Sequence, residues 1–332
     1  MPNLGHCNLC GNTKYSILRA ANDSRQKPCK SKIVRCSSCR LIYVYSDLSA
    51  PVSYDSNYHV FLEENGACKK NLADKILYQI SRYKSPGKLL EIGPGRGIFL
   101  KEAKSQGWDV LGLEVSGFAA SKIKEEFQIE VRVGTLSEQN FPKDSFDVIA
   151  MHEVIEHLHD PLGTLKEIYK FIKNDGVLSI TTPNARTLNF WLGGSSVRYV
   201  LPEEHHYYFT PSTLQMLLEN AGFSVLSMET YDHNIAGLIE DILAKIGIRI
   251  HLQRFFHKPD KSKSRNPYSY IAHCIFRGIA NPIYKLICKL WKVIVIPLTG
   301  TGQTIHAYAY SNQSNTNALS KLSFLRIVSR NL

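Results

Sequence analysis

Four of the eight cysteines stand in two pairs, Cys7-Asn8-Leu9-Cys10 and Cys36-Ser37-Ser38-Cys39, with 25 residues between them. A Cys-x-x-Cys turn brings two thiolates to one side of a tight knuckle, and two knuckles complete a tetrahedral four-sulfur site for Zn²⁺. Gly11, directly after Cys10, supplies permissive backbone for such a knuckle. Closed all-cysteine sites are structural rather than catalytic, so the first segment reads as a zinc ribbon with Cys7, Cys10, Cys36 and Cys39 as ligands. Disulfide pairing is the rival and belongs to oxidising compartments. Cys29, Cys68, Cys274 and Cys288 have no partner at ligand spacing and read as small hydrophobes.

A second constellation is the turn Glu91-Ile92-Gly93-Pro94-Gly95-Arg96-Gly97. The run Lys88–Ile92 before it is strand-like, a helical pattern with Ile98, Phe99 and Ala103 follows, and Trp108–Leu113 reads as a second strand closing in Glu114. Strand, glycine-rich turn, helix, strand and acid open a doubly wound α/β sheet, in which the glycines let a ligand approach the backbone. Glu114 can accept hydrogen bonds from two ribose hydroxyls. A dinucleotide fingerprint would need glycine at position 98, where Ile98 stands, and no P-loop Gly-Lys-Ser/Thr follows. Glu91, two residues before the first glycine, suits a positively charged ligand better than a pyrophosphate. The third constellation is Glu153, Glu156 and His157 after the strand Phe146–Met151, with His205 and His206 further on. These lie at the carboxyl edge of the sheet, where such folds hold ligands. If the first three enter a helical turn they share one face. Three roles are open: a histidine as general base for a hydroxyl, Glu153, Glu156, His157 and His205 as a divalent-cation site, or residues that only pin the loop.

The chain that positions these groups has 332 residues and a net charge of +11. Hydrophobic residues at 44% and charged residues at 21% exclude collagen-like, wholly disordered and polytopic membrane classes. No apolar run approaches the ~18 residues of a spanning helix, and the first residues lack the features of a secretory signal, so a cytoplasmic location is expected. Residues 1–46 hold eight Lys/Arg and one acid, residues 47–260 hold 22 basic and 28 acidic residues, and ten Lys/Arg but no acid follow Asp260. Basic ends around a slightly acidic middle suit an anionic partner or simply aid solubility.

The ordered motifs resemble those of class I S-adenosylmethionine (SAM)-dependent methyltransferases. Leu89–Gly97 resembles the family's first motif, Leu111-Gly112-Leu113-Glu114 its ribose-binding acid, and Gly134-Thr135-Leu136 its adenine loop. Phe146–His157 resembles strand four and its loop; Thr182-Pro183-Asn184 ends strand five, and His205–Pro211 precedes a helix that ends at Ala221-Gly222-Phe223. The resemblance implies cofactor contacts from Glu91, Gly93, Gly95, Gly97, Glu114, Thr135, Leu136 and His152, with Thr135 and Leu136 where many relatives carry an acid. It implies catalysis by in-line methyl transfer, with His157, His205, His206 and Glu153 as candidates. The Glu-x-x-Glu-His pattern is similar to that of small-RNA and ubiquinone-pathway O-methyltransferases, where it is linked to Mg²⁺ or Mn²⁺.

The expected architecture is a doubly wound, seven-stranded Rossmann-like sheet with its last strand antiparallel. The expected organisation is a zinc ribbon over 1–46, linker and helices over 47–87, the SAM-binding core over 88–230, a helical insert over 231–298, the last strand over 299–310 and a mobile tail over 311–332. Within the insert, Ile283, Leu286, Ile287, Leu290, Trp291 and Ile294 share one helical face beside Lys285, Lys289 and Lys292. Such a basic amphipathic helix suits the protein core or, peripherally, an anionic membrane surface. A ribbon ahead of this core resembles enzymes of polysaccharide and natural-product sugar pathways, implying a saccharide or a lipid- or nucleotide-linked sugar as acceptor. RNA 2′-O-methylation and sugar C-methylation are the alternatives.

Overall fold

A computed structural model of the chain describes residues 6–22, 28–45, 66–187, 190–191, 202, 204–231 and 304–311. The expected amphipathic helix at 283–294, nearly all of the insert, the tail beyond 311, Cys274 and Cys288 lie outside these residues. Among the described residues no helix is long and apolar enough to cross a membrane.

The strands are β1 (Tyr15–Asn22), β2 (Pro28–Cys36), β3 (Ile42–Tyr45), β4 (Lys88–Ile92), β5 (Asp109–Glu114), β6 (Val131–Val133), β7 (Phe146–His152), β8 (Ile172–Pro183), β9 (Tyr207–Tyr208), β10 (Phe223–Tyr231) and β11 (Thr304–Ser311). The helices are α1 (Gly66–Ser81), α2 (Ile98–Ser105), α3 (Gly117–Phe127), α4 (Pro161–Phe171) and α5 (Pro211–Asn220). Their starts are written in the sequence. Ser116 and Asp160 accept backbone N–H bonds from Ala119 and Gly163, and Thr210 caps α5 through Thr213. Pro161 and Pro211 occupy the first helical positions, where a missing N–H costs nothing.

Seven strands form the sheet β10-β11-β8-β7-β4-β5-β6. β4, β5, β6, β7 and β8 run parallel, whereas β11 is antiparallel to both β8 and β10. This is the expected doubly wound sheet, and β11 is the expected antiparallel last strand. Alternate residues separate the two faces. Leu89, Val148, Ala150, Val177 and Tyr308 join the cluster under α1–α3. Leu90, Ile149, Met151, Leu178 and Ile180 join the cluster that includes Leu165, Ile168, Leu214 and Leu217 of α4 and α5. Strands with both faces covered need near-continuous apolar sequence, as these have.

A second sheet, β1-β2-β3-β9, carries the cysteine-rich segment. Its fourth strand is not local: β9 follows β8 by more than twenty residues and pairs antiparallel with β3 through Ile42–Tyr208 and Tyr43–Tyr207. Cys7, Leu9, Val34, Cys36, Leu41 and Tyr43 bury into the same apolar cluster as Leu90 and Phe209. The cysteine segment and the large sheet therefore share one core.

Candidate active site

The glycine turn lies between β4 and α2. Gly93, Gly95 and Gly97 have φ of 69°, 53° and 71°, the left-handed region that side chains disfavour. A Cβ on Gly93 would stand 2.6 Å from Val154 Cγ2, and one on Gly97 2.9 Å from Ile123. Glu91 is only 3% exposed. Its Oε1 lies 3.3 Å from His152 Nδ1, and its Oε2 is buried with no hydrogen-bond partner. Burial raises its carboxyl above the ordinary range, opposed by the His152 bond. Glu114, at the end of β5, accepts from Ser116 N–H at 3.0 Å and Gly95 N–H at 3.3 Å, so its carboxylate is fixed while keeping further lone pairs.

Around this acid the apolar side chains of Val115, Phe118 and Val133 are exposed. The sequence reading missed them; their position next to Glu114 and Gly134 was the available signal. Of the adenine-loop residues, Leu136 is buried and Thr135 caps the short 3₁₀ turn Leu136–Glu138.

His152 belongs to a polar chain across four strands on the α1–α3 face. Its Nε2 is 3.2 Å from Ser179 Oγ, which is 3.1 Å from His306 Nε2; His306 Nδ1 is 3.0 Å from Tyr308 OH. Burial, with the charge of His152 second, holds His306 well below its ordinary pKa.

The second cluster follows β7. Glu153 has φ 55°, a strained value for a side-chain-bearing residue, and its N–H donates to Thr181 O at 2.9 Å. The loop is therefore no continuous helical turn: only Ile155–His157 form a 3₁₀ turn. Glu156 is buried while Glu153 is exposed. Desolvation by neighbouring protein atoms, opposed by a hydrogen bond from Thr181, pushes Glu153 up to about 7. Glu156 is 1% exposed. Its Oε2 accepts from Thr182 Oγ1 at 2.9 Å, and its Oε1 is buried without a hydrogen-bond partner. Burial first, then the charge of Glu153, raises it well above the carboxylate range.

His157 Nδ1 lies 2.8 Å from the Glu204 carbonyl, which can only accept, so Nδ1 carries the proton and Nε2 presents a lone pair. Burial lowers its pKa, opposed by that carbonyl. The rings of His157 and His205 meet edge to face at 4.6 Å. One ligand atom from each of Glu156, His157 and His205 falls within 4.8 Å of the others; Glu153 stands outside this group. His206 stacks on His159 at 4.5 Å, and burial, then the charges of His159 and His157, lowers it to about 4.

The four cysteines converge separately. Cys7 and Cys39 sulfurs are 3.4 Å apart, Cys10 and Cys36 sulfurs 3.5 Å, and all four lie within 4.8 Å. The nearness of Cys7, then burial, raises the Cys39 thiol. Cys29 and Cys68 fall within β2 and α1.

Comparison with known proteins gives a consistent family. A "Probable S-adenosylmethionine-dependent methyltransferase" of Mycolicibacterium smegmatis is 29% identical over 168 residues, 50% of this chain and 63% of that one. A "Ubiquinone biosynthesis O-methyltransferase" of Rhodopseudomonas palustris is 30% identical over 149 residues, 42% of this chain and 58% of that one. The chain thus spans about 60% of the length of these curated relatives. The crystal structure of a SAM-dependent methyltransferase from Archaeoglobus fulgidus superposes with TM-score 0.49 and 20% identity, covering 78% of this chain and all of that one. Residues 63–228 match the family described as "Methyltransferase domain", and with half of its length inside that match, around a cradle ending in Glu91 and Glu114, the chain belongs to the methyltransferase-domain family.

Proposed function

We propose that the chain is a SAM-dependent O-methyltransferase acting on a hydroxyl of a saccharide or of a lipid- or nucleotide-linked sugar. The observation that carries the donor half is Glu91: a buried carboxylate with one orphaned oxygen beside a turn of three left-handed glycines. An unpaired buried charge is costly, and a ligand ammonium supplies the missing partner. The residues therefore fit SAM: Glu91 for the amino group, the Gly93–Gly97 backbone beneath the amino-acid part, Glu114 for the ribose hydroxyls, and Val115, Val133 and Leu136 as apolar surface for the adenine. When bound, SAM supplies a methyl group on a positively charged sulfur.

The acceptor side needs a group that aligns a hydroxyl and takes its proton. His157 suits this, because its proton is committed to Glu204 and its Nε2 is free to accept. Glu153, at about 7, is a second acceptor of protons near neutral pH. His206, at about 4, is too weak a base and serves through its main chain. O- rather than C- or N-transfer is supported by the relatives named as ubiquinone O-methyltransferases; the sugar acceptor rests on the resemblance of the ribbon arrangement alone.

A second reading is favoured by one specific observation. The orphaned Oε1 of Glu156 and the lone pair of His157 Nε2 converge with His205, a donor set that fits Mg²⁺ or Mn²⁺. A cation there would orient the acceptor hydroxyl and favour the charged form of Glu156. This donor set also suits the RNA 2′-O-methylation reading. In the ribbon, the crowded thiols of Cys7, Cys10, Cys36 and Cys39 fit a structural Zn²⁺.

Two measurements test the proposal. Calorimetry should show SAM binding; none at millimolar cofactor would sink it. With methyl-labelled SAM and cell extract split into glycan, lipid and RNA fractions, label should enter the glycan or lipid fraction, and label in RNA would reverse the acceptor assignment. Turnover that survives EDTA at unchanged zinc content leaves His157 as base without a cation.

A further inference from the structure

We propose that the cysteine-rich module is the positioning element for the Glu156–His157–His205 cluster, holding from both sides the two chain segments that carry it. The first grip comes from the first knuckle. Asn8, between Cys7 and Cys10, uses both ends of its amide. Its Nδ2 donates to Asp160 Oδ1 at 2.8 Å, and its Oδ1 accepts the Leu162 N–H at 3.2 Å. These residues open α4, three residues after His157. Leu9, beside it, accepts from Asn220 Nδ2 at 3.1 Å through its carbonyl.

The second grip comes from β3, which leaves the second knuckle. It pairs with β9, and the Val44 N–H donates to the His206 carbonyl at 2.9 Å. The same residue links the two segments, because the His206 N–H donates to the Glu156 carbonyl at 2.8 Å. Tyr207 OH closes the circuit by donating to the His159 carbonyl at 3.0 Å. So the ribbon holds His205 from one direction and Glu156-His157 from the other while contributing no side chain to the cluster itself.

Docking alone needs only the apolar surface of Leu9, Leu41 and Tyr43, which is already buried. The polar clamp does something more specific: it fixes the backbone immediately before and after the converging side chains. A site assembled from a 3₁₀ turn and a separate strand needs such support, since an error of about 1 Å is enough to lose function.

The inference rests on the acceptor-side reading of this cluster, so the test reads geometry at the histidines instead of turnover. Full-length protein labelled with ¹⁵N-histidine is compared as wild type, as Asn8→Ala, and as Asn8→Asp combined with Asp160→Asn. The alanine variant leaves the Asp160 cap on Gly163 intact. The combined exchange keeps one donor and one acceptor but reverses their ends. Wild type should show one sharp imidazole set for His157 with the proton on Nδ1. Asn8→Ala should broaden or split that set and speed exchange of the His206 amide about tenfold, as expected for losing one or two hydrogen bonds. SAM affinity by calorimetry should stay within about twofold, because the glycine turn is untouched. The combined exchange should restore the histidine signals. Unchanged His157 and His206 signals in Asn8→Ala would overturn the proposal. So would a loosening that extends to the Gly93–Gly97 amides and that the combined exchange fails to reverse. A wild type that binds no SAM would instead remove the donor assignment and leave this test standing.

Discussion

Replacing Gly93 by alanine should damage both halves of the site through a single methyl group. Gly93 sits at φ 69°, tied by its N–H to the Leu113 carbonyl at 2.8 Å, so the turn cannot relax by rotating away. An L-residue held in that region costs about 1–2 kcal/mol. The added Cβ would also stand 2.6 Å from Val154 Cγ2. Val154 is β-branched and stiff at χ1, and relieving such an overlap costs about 1–3 kcal/mol. Gly107 provides the control: its φ is 89°, but a Cβ there meets nothing within 4 Å. Gly107→Ala should therefore carry the backbone strain alone. At about 2–4 °C per kcal/mol for a domain of this size, Gly93→Ala should lower the melting temperature by about 4–20 °C and Gly107→Ala by about 2–8 °C. SAM affinity should fall only in the first, since its turn faces the cofactor. Adding Val154→Ala to Gly93→Ala removes Cγ2 and should recover the steric part while leaving the backbone part. Thermal melts with and without SAM read both effects. If Gly93→Ala melts no lower than Gly107→Ala, or if Val154→Ala recovers nothing, the contact between the glycine turn and Val154 is not what constrains this glycine.

Two further outcomes follow from the buried polar groups. His306 is held neutral in the fold, so the unfolded chain binds the extra proton first; the stability this contributes is complete above about pH 6.5 and is lost below it by up to ~1.4 kcal/mol per pH unit. Urea unfolding at pH 7 and pH 5 should show that loss in wild type and less of it in His306→Gln; equal losses would refute the assignment. Thr182→Val strips the hydrogen bond from Glu156 Oε2 and should destabilise by about 1–3 kcal/mol. Added Mn²⁺ should recover part of it if a cation joins Glu156, and a melt insensitive to Mn²⁺ would count against that reading.

The sequence discloses those parts of the fold whose signal is local. The run Lys88–Ile92 forms β4 with the expected bounds, because apolar residues between a turn and a glycine cluster leave little choice. The expected last strand, β11, runs from Thr304 to Ser311, and β10 before it runs from Phe223 to Tyr231. What stays hidden is pairing at long range. Nothing near Tyr207-Tyr208 announces that two residues will become the fourth strand of a sheet begun at Tyr15, because a two-residue strand has no periodicity to read. The partner of Asn8 is 152 positions away. The polar chain from Glu91 to Tyr308 depends on the register that sets His306 and His152 opposite the same residue, Thr181.

The left-handed backbone of Glu153 shows why the Glu153–His157 loop is legible in the sequence only in part. A helical continuation from His152 would have put Glu153, Glu156 and His157 on one face, and the spacing alone supports it. The chain instead turns sharply at Glu153, fastened by its N–H to Thr181. The turn separates the two carboxyl groups. Glu156 goes inward beneath Thr182, beside the lone pair of His157, while Glu153 stays exposed. The charge of Glu153 still reaches Glu156 and adds to the burial that raises its carboxyl. Glu156 gains a buried setting that calls for a hydrogen-bond donor or a cation, and Glu153, near 7, an exposed one. The left-handed backbone at Glu153 costs the fold about 1–2 kcal/mol. The Glu153 N–H bond to Thr181 of β8 and the His206 N–H bond to the Glu156 carbonyl hold the turn from either side.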